Sequence, residues 1–170
     1  MEKHRPADGH AVLGKPELRK NYCFGCGKDN ADGMFLDFFL DEGTRTAVCH
    51  FNLSRRYTGP PAHAHGGIIA TILDEAMGKV NKFRNVLALT SSMEIKYLKP
   101  VPLGQPLTVT GYEQSVEGRK HVNIAEIRNG KDELLARSIG TFIAIDPEKV
   151  FAHLAQQSEP AAAGSDGKAQ

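Results

Sequence analysis

The segment from Ile68 to about Phe83 has the periodicity of a long, mostly buried helix, and it constrains the fold of this 170-residue chain more than any other feature. A helix with a broad apolar stripe has to be covered by other apolar surface. The rest of the chain must therefore supply that cover. The stripe consists of Ile69, Ile72, Leu73, Ala76, Val80 and Phe83.

Extended segments on both sides of this helix are the candidates for the cover. Residues 34–52 are interpreted as two strands about a turn at Asp41-Glu42-Gly43, the second of which places Ala47, Cys49 and Phe51 on one face. After the helix, Pro and Gly turns separate four strand-like segments. These segments span 86–99, 105–117, 119–129 and 132–145.

The first of the four later segments alternates in polarity, which predicts one buried face and one more polar face. Its apolar set is Leu89, Met93, Ile95 and Tyr97, and its polar set is Thr90, Ser92, Glu94 and Lys96.

Strands that follow one another through short turns pair antiparallel, so the pattern predicts an α+β fold in which a curled antiparallel sheet wraps around one long central helix. Residues 21–157 form the predicted domain, which ends in a short helix from Pro147 to about Gln157. Residues 1–20 are interpreted as a polar extension, and 158–170 as a disordered tail of small and polar residues.

Charge and composition exclude several classes of partner. The 21 Lys and Arg residues nearly balance the 20 Asp and Glu residues, so no broad basic field is available for nucleic acid or an anionic membrane. No segment approaches the roughly 20 apolar residues that span a bilayer, and the N-terminus lacks the apolar stretch of a signal peptide. Three cysteines fit a reducing compartment, so a cytoplasmic protein is expected.

Cys23 and Cys26 have the two-residue spacing of zinc ribbons and redox sites. The chain offers no second close pair, however, and Cys49 alternates with core residues on a predicted strand. The pair is therefore interpreted as part of a Gly-rich turn before the first strand. His63 and His65 have no third ligand near them in the sequence, so no metal is expected there either.

The sequence His65-Gly66-Gly67 stands at the predicted start of the central helix. The first amides of a helix have no acceptors within it, and together with the helix dipole they suit a carbonyl oxygen that gains negative charge. For His65 two roles remain open: binding local backbone, or orienting a substrate carbonyl.

Asp74 follows two helical turns later, with Ala70, Thr71 and Gly78 at helical spacing from it, so small side chains leave room for a substrate. A carboxylate on such an apolar helix is suited to attack a thioester carbon or to deprotonate a water molecule. Glu75 has Lys79 at i+4 and is interpreted as half of a solvated ion pair.

These motifs closely resemble the hotdog-fold acyl-CoA thioesterases, in the branch of phenylacetyl-CoA-type thioesterases and human thioesterase superfamily members. The resemblance covers about residues 21–146. It rests on the stretches CFGCGKDNADGMFLDF, YTGPPAHAHGG, IIATILDEAMG and LTSSMEIKYLKPVPLGQPL.

The resemblance implies a hotdog homodimer, often paired into a tetramer, with two active sites at the subunit interface. It assigns Asp74 of one subunit as nucleophile or general base, and the amide of Gly66 of the other as the group that polarises the thioester carbonyl. Thr90 would hold the attacking water, and His65 would support the site.

The resemblance also implies where the substrate lies. CoA would run along the strand of Lys96 and Tyr97, with Arg119 and Lys120 near its phosphates. The substrate-binding set is completed by residues near the thioester and the acyl tunnel, which are Gly67, Met77 and Gly78.

The predicted function is hydrolysis of acyl-CoA to a free acid and CoA, without a cofactor. One alternative is a non-catalytic acyl-CoA-binding or sensing protein on the same fold. The other is a hotdog hydratase or dehydratase, which the single His-Gly-Gly to Asp stretch favours less.

Overall fold

The computed structural model describes residues 20–150 together with the short strand Arg5–Pro6. Helix α1 spans Gly66–Val80 and continues as a 3-10 turn over Asn81–Arg84, and another 3-10 turn, Arg55–Tyr57, precedes it. The strands of the described residues are β1 (Arg5–Pro6), β2 (Phe39–Asp41), β3 (Thr46–Phe51), β4 (Leu87–Tyr97), β5 (Leu107–Glu117), β6 (Lys120–Asn129) and β7 (Leu134–Ile145).

The strands form one antiparallel sheet in the order β1-β2-β3-β5-β6-β7-β4. Helix α1 contacts β3 to β7, so the sheet curls around it and the predicted architecture is confirmed. The strand that follows the helix, β4, crosses to the far side of the sheet and becomes an edge of 11 residues.

The core lies between α1 and the concave face of the sheet. Ile72, Leu73, Ala76 and Met77 are fully buried. The helix passes so close to β5 that a Cβ on Gly111 would lie 2.4 Å from the carbonyl oxygen of Ala76. Only glycine fits there without moving the helix, since backbone cannot yield as a flexible side chain does.

The predicted alternation along β4 is wrong for its first half. The pairing of β4 with β7 shifts between Thr90 and Ser92, because Ser91 is an extra residue that forms a bulge. Thr90 therefore points towards the helix, whereas Leu89 is 48% exposed on the other face. Beyond the bulge Met93 and Ile95 are partly buried against the core, as predicted.

The first predicted strand begins later than expected, at Phe39. Met34 and Leu36 donate backbone hydrogen bonds to the carbonyls of Phe24 and Gly25, so this segment pairs with the cysteine loop and not with the sheet. Phe35 between them has a φ of 55°, which interrupts an extended chain. The hairpin turn after Asp41 is confirmed, with Asp41 paired to Thr46.

The ends of the predicted domain are described in part. The predicted extension contributes the two residues of β1, which pair with β2. Residues 147–150 are helical, as predicted, while the remainder of the predicted C-terminal helix and the tail lie outside the described residues. In the part of the chain that the structure covers, every helix is too short or too polar to cross a membrane.

Candidate active site

The loop before α1, which contains Gly59-Pro60-Pro61, is ordered by its own backbone bonds. The amide of His65 donates to the carbonyl of Tyr57, and the amide of Gly59 donates to that of His63. A Cβ on Gly59 would lie 2.7 Å from the Cα of His65, so glycine allows the chain to pass beside the helix start. The loop therefore fixes where α1 begins.

His65 is the N-cap of α1, because its Nδ1 accepts a 3.0 Å hydrogen bond from the amide of Gly67. Of the two roles considered for His65, this contact corresponds to the binding of local backbone. The Gly67 amide is therefore occupied by the cap and is not available to a substrate carbonyl. Among the described residues the Gly66 amide has no acceptor, which leaves it as the donor available to a ligand at the helix end.

Tyr97 fixes the other side of Gly66. Its hydroxyl donates to the Gly66 carbonyl oxygen over 3.1 Å, which connects the last residue of β4 to the first residue of α1. Tyr97 is 53% exposed, so this contact is at the surface of the chain. The sequence places Tyr97 near CoA through the resemblance alone, and contains no signal for a contact with Gly66 31 residues away.

Asp74 and Thr90 form the second half of the candidate site. The Thr90 hydroxyl donates a 2.7 Å hydrogen bond to Oδ1 of Asp74. The bulge at Ser91 turns Thr90 towards the helix, and without it this residue would point to the opposite face. The structure thus brings together two residues that the resemblance assigns to one site.

Burial raises the pKa of Asp74 above its ordinary value of 3.8, and the neighbouring negative charge of Glu75 adds to this effect. The hydrogen bond from Thr90 acts in the opposite direction, because it stabilises the charged form. A carboxylate with a raised pKa is a stronger base than an exposed aspartate once it has ionised.

The Gly66 amide and Asp74 are too far apart to act on one carbonyl within a single chain. They are eight residues apart on α1, which corresponds to about 12 Å along the helix axis. A base and an oxyanion donor each have to approach the reacting group to about 3 Å. Within one chain the helix therefore presents two separate half-sites.

The predicted CoA-binding side chains are also dispersed in one chain. Lys96 pairs across the sheet with Arg137, and Lys120 with Ile143. These positions on β7 are six residues apart, or about 20 Å. Arg119 donates to the carbonyl of Ala144 at the same end as Lys120. The two cationic groups therefore flank opposite ends of β7.

The two residues predicted to line the acyl tunnel differ in their surroundings. Met77 is fully buried and packs against Gly140, so within the chain it is a core residue and not part of an open pocket. Gly78 is half-buried one turn after Asp74, and a Cβ there would lie 3.9 Å from the Phe142 ring. Gly78 thus stays adjacent to the carboxylate.

The interpretation of Glu75 and Lys79 as a solvated pair is wrong. Their side chains are only 16% and 13% exposed, and their charged atoms are 3.7 Å apart. The loop containing Cys23 and Cys26 covers them. The i+4 spacing does not distinguish a pair in water from a pair beneath a loop.

Comparison with known families adds to this geometry. The profile of the thioesterase superfamily matches residues 62–136, which include α1 and the Asp74–Thr90 pair. Residues 62–136 are thus similar to a thioesterase-superfamily domain. The resemblance stated from the sequence is therefore confirmed at the level of the superfamily.

Individual relatives agree with this assignment. The acyl-coenzyme A thioesterase THEM4 of Xenopus laevis is 29% identical over 81% of this chain and 64% of its own length. The mouse THEM4 is 33% identical over 69% of this chain and 51% of its own length. A crystal structure of a thioesterase superfamily protein superposes with a TM-score of 0.69 at 29% identity, covering 72% of this chain and 60% of that one.

These figures confirm the hotdog fold for the thioesterase-superfamily domain. The chain spans about half to two thirds of the length of the curated relatives it matches.

Proposed function

We propose that this protein hydrolyses acyl-CoA thioesters to a free acid and CoA. The observation that carries the proposal is the hydrogen bond between Thr90 and the half-buried Asp74, on the same helix that begins with the unpaired Gly66 amide. The relatives named acyl-coenzyme A thioesterases support this class of substrate.

Asp74 acts as general base in the proposed reaction. Its carboxylate removes a proton from a water molecule, and the oxygen of that water bonds to the thioester carbon. Oδ1 accepts the Thr90 hydroxyl, so the proposal assigns the proton transfer to Oδ2. The negative charge passes to the former carbonyl oxygen, where the Gly66 amide and the positive helix end stabilise it.

The second step breaks the carbon–sulfur bond. The tetrahedral intermediate collapses to the free acid and expels the CoA thiolate, which takes the proton held by Asp74. Direct attack by the Asp74 carboxylate would instead form a mixed anhydride. A single turnover in ¹⁸O-labelled water tests the anhydride route, because the label enters the Asp74 side chain only when water attacks the aspartyl carbonyl of an anhydride.

The active unit is a homodimer. The rise of about 12 Å between Gly66 and Asp74 on one helix supports a partner that supplies the missing half of each site. Strand β4 is suited to that contact, because its long open edge carries the exposed Leu87 and Leu89 and would otherwise be prone to aggregation. Pairing two β4 edges brings the two helices alongside each other. A dimer of dimers is the next level of assembly.

A reducing, cytoplasmic location fits the cysteines. The chain has three cysteines, an odd number with one close pair, which makes a poor disulfide framework. We propose a cytoplasmic location on this ground.

A free-thiol assay over short, long and aromatic acyl-CoAs tests the proposed activity. Thiol release by the wild type, and its loss in Asp74→Asn, is the expected result. Binding of acyl-CoA without thiol release across the panel would contradict hydrolysis and support a sensing protein.

A further inference from the structure

A compact cluster of sulfur, carboxylate and ammonium groups lies beside the candidate site and has no part in the proposed reaction. The Cys23 thiol donates a 2.9 Å hydrogen bond to Oε1 of Glu75, and Nζ of Lys79 donates a 3.0 Å hydrogen bond to Sγ of Cys26. The two sulfurs and a Glu75 oxygen all lie within 4.8 Å of one another.

The loop is shaped to bring its cysteines onto the helix. A Cβ on Gly25 would lie 2.4 Å from Cγ of Glu75, so the loop backbone rests directly on that side chain. Gly27 closes the turn through a 2.8 Å hydrogen bond to the Cys23 carbonyl, and a Cβ there would meet the backbone of Cys23 at 2.4 Å. Glycine is therefore required at position 27, and a side chain at position 25 would have to displace Glu75.

We propose that Cys23, Cys26 and Glu75 bind one Zn²⁺ ion, with a water molecule as the fourth ligand. Two sulfurs on a tetrahedral Zn²⁺ are about 3.8 Å apart, given Zn–S bonds of about 2.3 Å. The observed cluster needs only small side-chain movements to reach that arrangement. The sequence lacks a second cysteine pair, and the third ligand comes instead from α1, 52 residues away from Cys23.

The charges of the cluster match such an ion. Two thiolates and a carboxylate carry three negative charges, which Zn²⁺ and the Lys79 ammonium balance, while the thiol protons leave to solvent. The Lys79 ammonium donates its 3.0 Å hydrogen bond to the Cys26 sulfur and lies 3.7 Å from Glu75, so it contacts both ligands and would orient them.

Zinc titration of the full chain tests the proposal. The protein is stripped with a chelator under reducing conditions, and Zn²⁺ is titrated against a chromophoric competitor. One equivalent should bind to the wild type and to the control Cys49→Ser, because Cys49 lies apart on β3. The double variant Cys23→Ser/Cys26→Ser should bind none, and Glu75→Gln should bind at least about tenfold more weakly.

Two further measurements use the wild type alone, so they do not depend on whether the double variant folds. Co²⁺ should give a thiolate-to-metal charge-transfer band. Zn²⁺ should raise the Tm of the wild type, since a ligand that binds only the folded state stabilises it. A reduced wild type that binds no Zn²⁺, or a double variant that binds it equally well, would overturn the proposal.

Discussion

The hydroxyl of Thr90 donates a 2.7 Å hydrogen bond to Asp74, and this contact connects the edge strand β4 to the middle of α1. It is the one polar contact in the described site that acts directly on the proposed base. It stabilises the ionised carboxylate, against the burial that raises the pKa of Asp74. A substitution at Thr90 should therefore change the pKa of Asp74.

Replacing Thr90 by Val should move the acidic limb of the kcat/KM profile to higher pH. The hydrogen bond lowers the pKa of Asp74, so its loss raises that pKa further. We expect kcat/KM above the limb to fall by about tenfold, in line with a hydrogen bond to a charged group. Thr90→Ser keeps the hydroxyl and should keep the wild-type limb; an unmoved limb in Thr90→Val would contradict the assignment of Asp74 as base.

Asp74→Asn should lower kcat by about 10²–10⁴-fold while stabilising the protein at neutral pH. The pKa of Asp74 is higher in the folded state than its ordinary 3.8, so the folded state binds more protons and loses stability as pH rises through that window. The Asn variant has no ionisable group at this position, so it does not lose stability as the pH rises. Its Tm should match that of the wild type below pH 3.8 and exceed it above the raised pKa of Asp74.

The control for this pH dependence is Asp132→Asn, because the Asp132 side chain is 88% exposed. Its Tm difference from the wild type should not follow the same window. A Tm difference for Asp74→Asn that is constant with pH would argue against the burial of this carboxylate.

Periodicity was sufficient to predict the helix and the strands that surround it, since each apolar face has to be covered. It could not reveal the bulge at Ser91, because three polar residues in a row conceal the extra one and alternation then assigns Thr90 to the wrong face. The sequence pattern likewise could not predict the hydrogen bond between Cys23 and Glu75, because the two residues are 52 positions apart.

Gly111→Ala should reduce the free energy of unfolding by about 1–3 kcal/mol, the usual cost of overpacking. Its Cβ would lie 2.4 Å from the Ala76 carbonyl oxygen, where backbone has to move. Chemical denaturation measures the loss. The matched control is Gly130→Ala, which has open space around the added methyl and should change stability little.

Tyr97→Phe should lower kcat/KM by roughly three- to tenfold, the value of one neutral hydrogen bond. The variant removes the 3.1 Å bond to the Gly66 carbonyl and loosens the peptide that begins the helix. Steady-state kinetics should show the loss in kcat, whereas a change in KM alone would indicate simple substrate contact. Tyr22→Phe, in the loop before β2, is the control and should behave as the wild type.

Gly66 can be deprived of its amide hydrogen with little other change. His65 has φ −65° and ψ 139°, the conformation that a residue before proline adopts, and proline is accepted at the first position of a helix. Gly66→Pro should therefore lower kcat by about 10²–10³-fold. Gly66→Ala retains the amide, and its Cβ would lie 3.7 Å from the Tyr97 ring, so it should stay close to wild type.

The central claim is that Asp74 and Gly66 act across a subunit interface. An experiment that combines chains carrying one substitution each tests this claim most directly. The chains Asp74→Asn and Gly66→Pro are unfolded together, refolded and assayed for thiol release. A heterodimer contains one site with both native groups, so random pairing should restore about a quarter of wild-type activity. If the mixture is no more active than the two inactive variants apart, the shared site is contradicted.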